Sequence, residues 1–151
     1  MIELARYERY LDRMGLTLDA MREAGFGKTP PDFMALVAED VEHGDLVGMA
    51  VTYLIPYTYT GRPVLVVKEL FIAEQARSLG IGAGLMAEVA RLALELNCMA
   101  VRWQVAPWNE RGRRFYERLG AVEDNEWVNY ALEGEALLKL ASRVEPNPAS
   151  S

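Results

Sequence analysis

The chain has 151 residues, a formal net charge of −6 and 51% hydrophobic residues, which suits one soluble globular domain with a sizeable core and excludes a disordered chain. The acidic balance argues against nucleic acid as a main partner, and no apolar run is long enough to cross a bilayer. Cys98 is the only cysteine, so an intrachain disulfide and a zinc framework are excluded, and a reducing, cytoplasmic setting without a secretory signal is expected.

Residues 1–13 are rich in helix formers, with Ile2, Leu4, Tyr7, Tyr10 and Leu11 near helical spacing. Thr17 is a candidate N-cap for a second helix that Gly25 would stop. Residues 27–32, with Pro30-Pro31, read as a loop. Strands over 33–39 and 46–53 flank a polar turn over 40–45, a hairpin pattern. His43, the only histidine, lies in that turn and reads as a solvated residue, which leaves no Ser/His or Cys/His pairing. Residues 56–63 read as a second turn; Tyr53, Tyr57 and Tyr59 suit strand and turn packing or the wall of a pocket for an aliphatic amine.

Residues 64–72 form a β-rich central strand. The helix that follows, to about Leu96, carries an apolar stripe of Leu85, Met86, Val89, Leu92, Ala93 and Leu96, with Glu88, Arg91 and Glu95 opposite. Asn97 suits its stop, and residues 98–106 read as a strand parallel to the central one, completing a right-handed βαβ unit. Cys98, at the start of that strand, reads as a buried thiol and not a nucleophile. A short helix over 110–119, a strand over 127–132, a helix over 134–141 and a loose tail over 142–151 complete the chain, read as a single domain over 1–141.

The chain is organised around residues 69–96, with Arg77-Ser78-Leu79-Gly80-Ile81-Gly82 at their centre. Strand, glycine-containing turn and helix N-terminus together make a phosphate site, because the first helical N–H groups lack partners and the dipole favours an anion. Glycines after a strand also make plain tight turns. A P-loop is excluded because no Gly-Lys-Ser/Thr is present, and the Rossmann pattern lacks its first glycine.

Arg77-x-x-Gly80-x-Gly82, after the apolar strand Glu69-Leu70-Phe71-Ile72, resembles the acetyl-CoA pyrophosphate motif of the GNAT superfamily of N-acetyltransferases. Trp108-Asn109 and Phe115-Tyr116-Glu117-x-x-Gly120-Ala121 resemble its second signature. Gly25-Phe26-Gly27, Leu36-Val37-Ala38-Glu39, and Glu126-Trp127 with Leu137-Leu138-Lys139-Leu140-Ala141 are similar to the spermidine/spermine N-acetyltransferase branch.

The resemblance implies a mixed α/β GNAT fold: a mostly antiparallel twisted sheet, a parallel βαβ core that binds acetyl-CoA, and flanking helices. The strand that in the family precedes the first helix has no counterpart before Met1, so the sheet lacks that edge strand, a neighbouring subunit covers the edge, or the natural start lies upstream. Ser78, Leu79, Gly80, Ile81, Gly82 and Ala83, with Arg77, would hold the pyrophosphate, and Asn109 would contact the cofactor. A backbone N–H at Phe71 or Ile72 would polarise the thioester carbonyl in the gap where 70–72 splays from 103–105. Tyr116 would protonate the departing thiolate; the alternative is two aromatics packing a short helix.

In this branch two acidic residues sit before the motif. Here the pair reads Lys68-Glu69, a cation where an acid is expected, so Glu69 acts as base or water-holder, an acidic residue elsewhere does, or the amine arrives already deprotonated. Regular alternation would put Lys68 and Glu69 on opposite faces. Lys68, Glu126 and Trp127 would border the amine; the acidic run Glu123, Asp124 and Glu126 could attract a distal ammonium or be a plain exposed loop. Arg111, Arg113, Arg114 and Arg118 could meet CoA phosphates or form a solvated face. No metal is required.

The expected function is acetyl transfer from acetyl-CoA to a primary amine of a polyamine, diamine or thialysine-like substrate by a homodimer. The alternatives are another amine (a drug, an amino acid or a peptide N-terminus) or a non-catalytic acetyl-CoA-binding sensor.

Overall fold

The computed structural model describes residues 6, 12, 15–56, 58–126 and 128–143. Most of the helix expected over 1–13, Tyr57, Trp127 and most of the expected tail lie outside the described residues. The chain forms two compact units, one ending at Arg113 and one beginning at Arg114.

In the first unit, α1 spans Leu18–Phe26, and Thr17 caps it by accepting the Ala20 N–H on Oγ1 at 3.1 Å. The helix passes through Gly25 and stops at Gly27, whose N–H donates to the Arg22 and Glu23 carbonyls. Gly25 answers to packing instead: a Cβ there would stand 2.9 Å from Phe33 Cζ.

Four strands, β1 (Met34–Glu39), β2 (Leu46–Ile55), β3 (Val64–Ile72) and β4 (Ala100–Arg102), form one sheet in the order β1-β2-β3-β4. The first two pairings are antiparallel, and β3 pairs with β4 in parallel. The β1–β2 turn forms as expected, with His43 exposed beside Asp40. The Glu42 backbone N–H, then His43, holds the Asp40 carboxyl below its ordinary pKa.

Helix α2 (Ile81–Glu95) crosses between β3 and β4. Leu85, Met86, Val89 and Ala93 of its expected stripe are buried, and Leu92 and Leu96 are half-buried. They meet a core that includes Ala50, Leu65 and Val67. On the solvent side Arg91 pairs with Glu88 at 2.7 Å and with Glu95, and the Glu88 hydrogen bond leads in raising its pKa.

Asn97 ends the helix in the left-handed region, at φ +54°. The Cys98 N–H donates to the Ala93 carbonyl and the Asn97 N–H to the Leu94 carbonyl, the bonding of a Schellman cap. Arg62 closes this corner, its Nε donating to the Asn97 carbonyl at 3.1 Å and its Nη2 to the Cys98 carbonyl at 2.7 Å. The Cys98 side chain is buried, which pushes its thiol pKa up against a smaller opposing effect of Arg62. Iodoacetamide should therefore label Cys98 slowly in the native protein and quickly in denaturant, followed by mass spectrometry; fast native labelling would contradict its placement.

The strand expected over 98–106 is much shorter in the structure. Its ladder with β3 covers only Val64↔Ala100, Leu65↔Val101 and Val66↔Arg102, after which residues 103–106 leave the sheet.

The helix begun at Asn109, α3 (Glu110–Arg118), starts in the first unit, and its last residues, in the second, end at Gly120 with φ +86°. The Ala121 N–H donates to the Tyr116 carbonyl and the Gly120 N–H to the Glu117 carbonyl. Helix α4 spans Gly134–Ala141, as the sequence predicts. The strand expected over 127–132 does not form over 128–132, where Val128 and Tyr130 are exposed. A strand needs a ladder partner for its backbone, and among the described residues no strand is paired with 128–132. Among the described residues no helix is long and apolar enough to cross a membrane.

Candidate active site

The site begins with a fault in β3. Thr52 pairs with Val67 and Val51 pairs with Glu69, so Lys68 is one extra residue, a β-bulge. Without it Glu69 would fall opposite Ala50, which is fully buried. The bulge moves Glu69 opposite Val51 and gives the core position beside Ala50 to Leu70. The regular alternation that sets Lys68 and Glu69 on opposite faces therefore breaks here, since a bulge sets two residues against one partner. Lys68 is exposed and Glu69 half-buried.

The fault lies just past the last rung of the β3–β4 ladder, so the carboxyl half of β3 keeps its bonds to β2 and has no ladder with β4. The Ala73 N–H donates to the Val47 carbonyl at 2.9 Å. Backbone groups alternate along a strand, so Phe71 is directed toward β2 and the Ile72 N–H away from it. Of the two candidates for polarising a carbonyl, Ile72 is the one whose N–H faces the open side.

β3 then passes through a 3₁₀ turn (Glu74–Ala76) into the glycine loop. Arg77 turns back, its Nε donating to the Ile72 carbonyl at 3.0 Å, which ties the loop to the strand end. Ser78 and Gly80 are both left-handed, at φ +66° and +82°. The first helical bond of α2 runs from the Gly84 N–H to the Gly80 carbonyl, and Gly80 offers no side-chain cap. The N–H groups of Gly80, Ile81, Gly82 and Ala83 therefore precede the helical ladder. Around the missing Cβ of Gly80 there is no atom within 4 Å. Open space, clustered donors and the positive end of a helix dipole fit a diphosphate.

Two glycines serve this region and were not singled out by the sequence. Gly48 lies opposite Ile72, and a Cβ there would stand 2.9 Å from Ile72 Cδ1, 3.2 Å from Leu85 Cδ1 and 3.3 Å from Ile81 Cγ2. It seats the first turns of α2 on the sheet; a glycine inside a strand was the available signal. Gly48→Val should cost about 1–3 kcal/mol by overpacking, read from the urea midpoint, and an unchanged midpoint would contradict that seat. Gly112 clears space for Asn109, whose Oδ1 accepts the Gly112 N–H at 2.9 Å; a Cβ would stand 2.8 Å from Asn109 Nδ2. Asn109 is thus the N-cap of α3.

The structure gathers Lys68, Glu69, Phe71, Ile72 and the loop from Arg77 to Ala83 along one strand–loop–helix path in the first unit, with Asn109 at the head of α3. Tyr116 lies in the second unit, half-buried, its ring edge-on to Phe115 at 5.1 Å and 60°. Glu126 is exposed, its N–H donating to Asp124 Oδ1, and Trp127 lies outside the described residues. Among the described residues no group of three or more His, Cys, Asp or Glu is placed to hold a metal.

Residues 3–121 match the acetyltransferase (GNAT) family. The chain is 35% identical to a thialysine N-epsilon-acetyltransferase of Mus musculus over 150 residues, 93% of this chain and 87% of that protein. It is 31% identical to a spermidine/spermine N(1)-acetyltransferase-like protein of Homo sapiens over 92% of this chain and 21% of that protein. A solved integron cassette protein from the mobile metagenome of V. cholerae superposes with a TM-score of 0.75 at 29% identity, covering 93% of this chain and 86% of that one. The mixed sheet with its parallel β3–β4 pair, the unladdered N-terminus of α2 and this match over most of the length agree: the chain belongs to the GNAT family of acetyltransferases.

Proposed function

We propose that this acetyltransferase moves the acetyl group of acetyl-CoA onto a primary amine of a small aliphatic substrate, a diamine, polyamine or thialysine-like amine, by direct attack in a ternary complex. One observation carries the reading: the carboxyl half of β3 has no ladder with β4 immediately before the open N-terminus of α2. The N-terminus of α2 would hold the diphosphate, and the open side of β3 would receive the thioester. The names of the mouse and human relatives support an aliphatic amine as acceptor.

Acetyl-CoA, when bound, supplies an activated acyl carbon. The N–H groups of Gly80, Ile81, Gly82 and Ala83 hold its diphosphate, with Ser78 and Leu79 shaping the loop and Arg77 fixing the loop to β3. The Ile72 N–H polarises the carbonyl. Glu69 takes the amine proton directly or through a water, and Tyr116 gives a proton to the departing sulfur. Asn109, by capping α3, fixes the start of the helix that carries Tyr116.

The same reading makes residues 1–141 one acetyltransferase domain with 142–151 as a tail, in a cytoplasmic homodimer. A monodisperse monomer in light scattering at micromolar concentration would contradict the dimer. Initial velocities test the mechanism. Direct attack gives intersecting lines when acetyl-CoA is varied at several amine concentrations; parallel lines, the mark of an acetylated enzyme, would overturn it.

A further inference from the structure

We infer that Lys68 is a specificity residue, which selects amines bearing a carboxylate over amines whose only further charge is another ammonium. This deepens the acetyl-transfer reading and rests on it. The bulge sets Lys68 and Glu69 together against Val51, so consecutive residues of opposite charge meet one stretch of the open strand. Their positions have different causes. Glu69 is displaced from the buried Ala50 position, and Lys68 is the inserted residue.

The Lys68 side chain is exposed, and among the described residues it makes no hydrogen bond or ion pair. Its ammonium is therefore available to a ligand. Bulges re-aim side chains beside functional sites, and this one lies just past the last β3–β4 rung.

The chemistry follows from the charges. The acceptor nitrogen must reach the carbonyl neutral, close to Glu69. Any second charge on a short substrate then lies in the field of the neighbouring Lys68 ammonium. A second ammonium alone meets a like charge there, whereas a carboxylate beside it, as in an α-amino acid, meets its counter-ion. Water around an exposed lysine reduces the effect to about one order of magnitude.

Lysine and cadaverine test this, because they share the aminoalkyl chain and differ by one carboxylate. The ratio of kcat/KM for lysine over cadaverine is measured by thiol release in the wild type, Lys68→Gln and Lys68→Glu. The wild type should favour lysine about tenfold, Lys68→Gln should bring the ratio near one, and Lys68→Glu should favour cadaverine. The change should fall mainly on amine KM, with acetyl-CoA KM and melting temperature unchanged. A ratio that is the same in all three active proteins overturns the role of Lys68 and leaves acetyl transfer standing. No release above blank with either of these amines or with spermidine, putrescine or thialysine overturns the acetyl-transfer reading, and this inference with it.

Discussion

Tyr116→Phe should lower kcat by about 10²–10³-fold and leave the KM for acetyl-CoA within about twofold. Positioned proton transfer contributes roughly 10²–10⁴-fold, and a tyrosine hydroxyl, with an ordinary pKa of about 10, is protonated and able to donate at neutral pH. The substitution removes one oxygen and keeps the ring that meets Phe115 edge-on at 5.1 Å. Stability should fall by no more than about 1 kcal/mol, the size of one lost hydrogen bond. The loss then belongs to the chemical step: kcat and the amine kcat/KM fall together while cofactor binding holds. Unchanged turnover would remove Tyr116 from the mechanism. Lost turnover with a collapsed melting temperature would make it a packing residue of α3.

Ser78→Asp should raise the KM for acetyl-CoA by about 10²-fold without lowering stability. Ser78 sits at φ +66°, a region that aspartate tolerates, and its side chain is exposed. A carboxylate there places a negative charge two residues before the N–H groups that the diphosphate needs. It favours the helix dipole, worth about 0.3–1 kcal/mol, so the melting temperature should hold or rise. It also repels the diphosphate by about 3 kcal/mol for unit charges roughly 5 Å apart at an effective dielectric of about 20. Opposite signs on stability and affinity separate a blocked anion site from a damaged fold. Ser78→Asn, neutral and of the same shape, is the control and should keep both values near wild type. Equal acetyl-CoA KM in all three proteins would refute the anion site.

The sequence made the strand–loop–helix legible because three signals coincide there. Residues 64–72 are apolar apart from Lys68-Glu69, Gly80 permits a left-handed turn, and the stripe from Leu85 to Leu96 has helical period. Strand β3 and helix α4 occupy the residues expected, and Thr17 and Asn97 terminate helices as their chemistry suggests.

What stayed hidden depends on partners distant in the chain. The bulge at Lys68 exists because Glu69 would otherwise face Ala50, a fact of register between two strands. Residues 103–106 have strand-like composition, but β3 offers them no ladder. Gly25 looks like a helix stop, yet its small size answers to Phe33, eight positions on. Gly112 reads as a weak helix residue until Asn109 is seen folded over it. Residues 128–132 show that propensity without a partner makes no strand.

Free-thiol release from acetyl-CoA tests the central claim most directly. The panel is spermidine, spermine, putrescine, thialysine, lysine and an aminoglycoside, each with a no-amine blank. Acetyl transfer to an aliphatic amine predicts saturable release with at least one aliphatic member, with one acetyl group gained by that amine in mass spectrometry. Release at the blank rate with every amine, while acetyl-CoA still raises the melting temperature, would contradict it and leave a protein that binds the cofactor without transferring its acetyl group to these acceptors.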